Sequence, residues 1–96
     1  MLLKTVAFDA ECTNWTDDIK INVAFLKNAE HHLNTIIQYR GYVYLNQIYE
    51  HLGIKWNPED ENICIKNDNT DQNAFIEFEV FPNLKNSFLI NIYSRE

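Results

Sequence analysis

The stretch from Gly41 to Ile54, Gly-Tyr-Val-Tyr-Leu-Asn-Gln-Ile-Tyr-Glu-His-Leu-Gly-Ile, admits few folds. Its first glycine follows Arg40 at the end of a helical period, so it is expected to stop a helix that carries a cation in its last turn. Tyr42-Val43-Tyr44 has strand-forming side chains. Asn46 then reads as an N-cap, and Ile48, Tyr49 and Leu52 outline a short amphipathic helix. Gly53 ends that helix, and Ile54 supplies the apolar contact that accompanies a glycine cap. A helix of two turns is unstable alone in water, so its apolar face must be packed. The block is therefore scaffold, and the rest of the chain is expected to fold around it.

Upstream, Thr16 is the expected N-cap of the longest helix, followed by Asp17 and Asp18 and an apolar stripe through Ile19, Val23, Leu26, Ala29 or Glu30, Leu33 and Ile36 or Ile37. The β-branched Thr35-Ile36-Ile37 run weakens the last turns of that helix, which leaves an end near Asn34 as the alternative to Gly41. Ile21, Ala24 and Phe25 widen that stripe in its first half. Leu2 to Phe8 is predicted as a strand, with helix as the rival reading. Downstream, Ile63 to Lys66 is a short strand candidate. Ala74 to Phe81 and Phe88 to Tyr93 alternate, with Ile76, Phe78, Val80, Phe88, Ile90 and Ile92 on the apolar side. Asn67 to Asn73 is expected to be a polar hairpin loop. These elements predict a single α+β domain over residues 1–96: one long and one short helix packed on a small antiparallel sheet of three to four strands.

The net charge of −6 over 96 residues opposes direct binding to nucleic acid. No apolar run is long enough to span a membrane, and Cys12 and Cys64 are expected as reduced thiols in a cytoplasm. Between Asn57 and Glu79, Glu59, Asp60, Glu61, Asp68, Asp71, Glu77 and Glu79 stand against the single Lys66. That imbalance equals the whole net charge, so an acidic surface is expected there, with Trp56 and Tyr44 as candidate aromatic anchors for a protein partner. A solubilising surface explains the same residues.

Patterns that carry chemistry are weak. Val6-Ala7-Phe8-Asp9-Ala10-Glu11 has the look of an exonuclease metal motif, but a solvated loop is favoured because such enzymes need further carboxylates on a larger sheet. Asn67-Asp68-Asn69-Thr70-Asp71 lacks the glycine and the glutamate of a calcium loop. His31, His32, His51 and the cysteines have no zinc spacing. Two glycines cannot build a phosphate loop. No catalytic residue, metal or cofactor is expected.

The segment Ala29-Glu30-His31-His32-Leu33-Asn34, the Gly41 to Ile54 block, Trp56, Ile76-Glu77-Phe78 and Leu89-Ile90-Asn91-Ile92 together resemble a family of small uncharacterised proteins of phages and mobile elements of Firmicutes-type bacteria. Those carry an A-E-x-x-L helix and a G-Y-V-x-L-N-x-x-Y-x-x-L-G-[LI] block. The chain departs from them by a longer Asn34 to Arg40 connection and by lacking a glycine-tryptophan pair before the sheet. The resemblance implies a small acidic protein that binds and blocks a host protein, as anti-CRISPR proteins do on Cas nucleases. A phage structural or assembly protein, or a homodimeric accessory protein, is the alternative. A small metal-dependent nuclease around Asp9 and Glu11 is the third reading.

Overall fold

The computed structural model describes residues 1–66, 74–83 and 87–95. The chain runs β1 (Leu2–Phe8), α1 (Ile19–Arg40), β2 (Tyr42–Tyr44), α2 (Leu45–Leu52), a single 3-10 turn (Pro58–Asp60), β3 (Cys64–Lys66), β4 (Phe75–Asn83) and β5 (Ser87–Arg95). The α+β architecture is as expected, but the strands divide into two antiparallel sheets, a three-stranded β1-β5-β4 and a two-stranded β2-β3. β3 therefore does not join β4 and β5 in the expected single sheet. The third strand of the larger sheet is instead the N-terminal β1, which joins on the far side of β5 from β4, in a register that sets Val6 against Ile90 and Phe8 against Phe88. The predicted loop over residues 67–73 lies outside the described residues.

Side-chain alternation places Phe8, Phe88, Ile90, Ile92 and Ile76 in one core with Leu26, Leu33 and Ile37 of α1 and Ile48 and Leu52 of α2. β1 carries a bulge between Leu2 and Lys4. As a result Leu2 is exposed and Leu3 packs against the core instead, while Lys4, in regular alternation with Val6 and Phe8, keeps to their side of the sheet. Its ammonium reaches Asp60, 3.4 Å away.

Several caps differ from expectation. Asp18, not Thr16, caps α1, its carboxylate accepting from Lys20 N–H (2.9 Å) and Ile21 N–H (3.3 Å). Thr16 is held instead by the fully buried Asn22, whose Oδ1 accepts from Thr16 N–H and whose Nδ2 donates to Thr16 C=O, each at 2.9 Å. Asn46 is not the cap of α2. It is buried, accepts from Asn57 N–H and donates to Asn57 C=O, mimicking a strand pairing with the following loop. α2 begins after Tyr44, whose N–H donates to Gln47 Oε1 at 2.9 Å. Both glycines behave as read: Gly41 ends α1 at φ 89° and Gly53 ends α2 at φ 80°. At Gly53, Ile54 N–H donates to Tyr49 C=O and Gly53 N–H to Glu50 C=O, the paired bonds of a glycine-terminated helix.

Candidate functional site

α1 runs alongside β4, the edge strand, rather than over the middle of the sheet. Asn34 faces Ile76, accepting from its N–H (2.6 Å) and donating to its C=O (2.9 Å). One helical turn earlier, Glu30 Oε2 accepts from Phe78 N–H at 2.7 Å. Four residues of helix rise about 6 Å and two residues of strand about 6.7 Å, so the two elements stay in step. These two side chains close the strand edge as a neighbouring strand would.

Further toward the start of α1 the closure ends and a groove of about 540 Å³ opens. Ile19, Val23 and Leu26 form its helical wall, and Phe78, Val80 and Pro82 the opposite one. Phe88 also lines it, and among the described residues Lys27 and Glu30 are its only charged residues. Ile19 and Val23, expected on the buried stripe, are 41% and 37% exposed, because the stripe here lies beside the open edge rather than over strands. The volume and apolar lining are those of a binding cleft.

Of the described residues expected to form an acidic surface, Asp60, Glu77 and Glu79 are engaged by other side chains. Asp60 is a correction: it is only 3% exposed, accepting from the Tyr49 hydroxyl at 2.8 Å and pairing with Lys4. Burial and this carboxylate hold the Tyr49 phenol well above its ordinary pKa. Asp60 thus ties the 3-10 turn to α2 and β1. Glu77 pairs with Arg95 at 3.2 Å, and Glu79 accepts from Asn91 and the Tyr93 hydroxyl, so both are tied into the solvent face of the sheet. Glu59 and Glu61 are exposed. Asp68 and Asp71 lie outside the described residues. Trp56 (58% exposed) and Tyr44 (43%) do stand at the surface.

Asp9 closes a turn after β1, its Oδ1 accepting from Glu11 N–H at 3.0 Å. Among the described residues no three His, Cys, Asp or Glu side chains converge as metal ligands. Cys12 is buried, which pushes its thiol pKa up and makes it a poor nucleophile. An aromatic series, Trp15, Phe8, Phe25, His51 and His32, crosses from β1 to the α1–α2 seam, its last two rings stacked at 5.0 Å. Burial, and secondarily charge on His32, lower the pKa of His51. Because the unfolded chain then binds this proton more readily, stability is expected to fall as pH drops below about 6.5. Urea unfolding at pH 7 and pH 5.5 measures the loss, and His51→Gln should reduce it. An unchanged pH dependence in that variant would assign the loss to other groups.

The sheet, its edge-clamping helix and the groove beside them define a small α+β domain with an apolar cleft. A family model described as a family of unknown function, DUF6353, matches residues 3–93, and the chain belongs to that family. No curated protein and no solved structure matches the chain. Among the described residues no helix is long and apolar enough to cross a membrane.

The groove was missed in the sequence, although signals for it exist. Glu30 and Asn34 stand four apart on the apolar helix, and Pro82, directly after the alternating run to Phe81, is a residue that a strand edge tolerates.

Proposed function

We propose that the chain is a non-catalytic protein-binding module that docks on an extended segment of its partner through the groove between α1 and β4. The observation that carries this reading is the apolar groove itself, whose wall keeps Ile19 and Val23 accessible. The net charge of −6 favours a partner with a basic surface. Together with the likeness to phage and mobile-element proteins, it supports a narrower form: inhibition of a host nucleic-acid-binding nuclease such as a Cas enzyme. The exposed Glu59 and Glu61 would add long-range attraction.

Size-exclusion chromatography with a purified Cas nuclease tests that form, and a pull-down from a bacterial host tests the wider one. Val23→Asp places a charge in the groove at a position exposed enough to spare the fold, and it is expected to weaken the complex about tenfold or more. Glu59→Ser with Glu61→Ser should mainly slow association and reduce its salt dependence. Binding that ignores Val23→Asp but vanishes in the Glu59/Glu61 variant would move the site to the acidic turn. A stable dimer broken by Val23→Asp would favour the assembly or accessory role. Divalent-dependent DNA cleavage lost in Asp9→Ala would replace the binding reading with a nuclease.

A further inference from the structure

The β4 edge is sealed along half its length and open along the other half. Antiparallel pairing with β5 turns the N–H and C=O of Ile76, Phe78, Val80 and Pro82 outward. Asn34 occupies both groups of Ile76, Glu30 takes the Phe78 N–H, and Pro82 has no N–H. What remains beside the groove is the carbonyls of Phe78, Val80 and Pro82 and the single N–H of Val80. Among the described residues nothing outside β5 bonds them.

We propose that this opening takes a short extended segment of the partner, added antiparallel to β4 with its hydrogen-bonded pair at Val80. Successive side chains of such a segment point to opposite faces. One set would enter the groove against Ile19 and Val23, which now lack a strand beneath them. The other would lie over Phe81 and Leu89, both exposed on the opposite face of the sheet. The edge shows more acceptors than donors, so it suits a donor-rich occupant. Glu30 at the groove, Glu79 on the sheet face and the net charge of −6 select basic side chains, with the exposed Lys27 the only cation in the lining among the described residues. The occupant is thus an extended segment alternating apolar residues with Lys or Arg. This rests on the groove being the docking site.

The test uses the full chain, labelled with ¹⁵N, and the probe acetyl-Lys-Val-Arg-Val-Lys-Val-amide. Hydrogen exchange at the Val80 amide should slow about tenfold on saturation, and binding should weaken about tenfold when the central valines of the probe are N-methylated or its basic residues are replaced by Glu. Equal binding of the N-methylated probe, still lost in Val23→Asp, would overturn strand addition while leaving the groove as a docking site for another conformation, such as a helix. No binding of the basic probe at millimolar concentration would also overturn strand addition. Loss of the natural partner's dependence on Val23 would instead remove the groove reading. Protection of Val80 that grows with protein concentration, without probe, would assign the edge to a second copy and overturn the proposal.

Discussion

Gly53→Ala is expected to lower the free energy of unfolding by about 3 kcal/mol, against about 1 kcal/mol for Gly41→Ala. Both glycines have left-handed backbone, φ 80° and 89°, so both substitutions carry the same conformational penalty. The surroundings differ. A Cβ on Gly41 meets no atom within 4 Å, whereas one on Gly53 would stand 2.9 Å from Asn14 N and 3.0 Å from Thr13 N. Those are backbone atoms of the loop between β1 and α1, and the loop is anchored there by Thr13 N–H donating to Gly53 C=O at 3.2 Å. Asn14 Nδ2 adds a bond to His51 C=O at 3.0 Å. Relief of the clash must move this loop away, together with Trp15, which packs edge-on against Phe8 and Phe88. Urea unfolding of the two variants is the measurement. Equal losses would mean that the loop yields without cost and that its approach to α2 contributes little.

Asn34→Ala is expected to cost about 2 kcal/mol and to make the protein self-associate. The side chain occupies both backbone groups of Ile76, which lies in the core at the strand edge. Alanine leaves these groups without a partner and lengthens the open edge from Phe78 back to Ile76. Glu30→Gln is the control, because its carbonyl oxygen can still accept from Phe78 N–H. Light scattering across concentration and thermal unfolding would read the two effects. A monomeric Asn34→Ala variant with unchanged stability would show that water replaces the side chain at no cost and that the helix does not guard the edge.

Local chemistry made much of this fold legible. Gly41 and Gly53 act at their own positions, so a glycine after a helical period is enough to place both stops. The alternation of Ile76, Phe78 and Val80, and of Phe88, Ile90 and Ile92, likewise depends only on the two-residue repeat of an extended chain. The polar residues were harder to read, since their partners are distant along the chain. Asn34 meets Ile76 across 42 positions. Asn46 and Asp60 suit a cap and a surface by local preference, yet each is buried against a partner that only folding brings near.

The same distinction separates element from site. Propensity, caps and apolar spacing suffice for two helices, the C-terminal strand pair and the scaffold role of residues 41–54, because these follow from interactions within a few residues. Strand partnership is a competition among distant segments, and it placed β1 beside β5 and sent β3 to β2. It also left β4 at an edge. Only then did the start of the α1 stripe lie beside open backbone, turning Ile19 and Val23 from expected core residues into the wall of a groove.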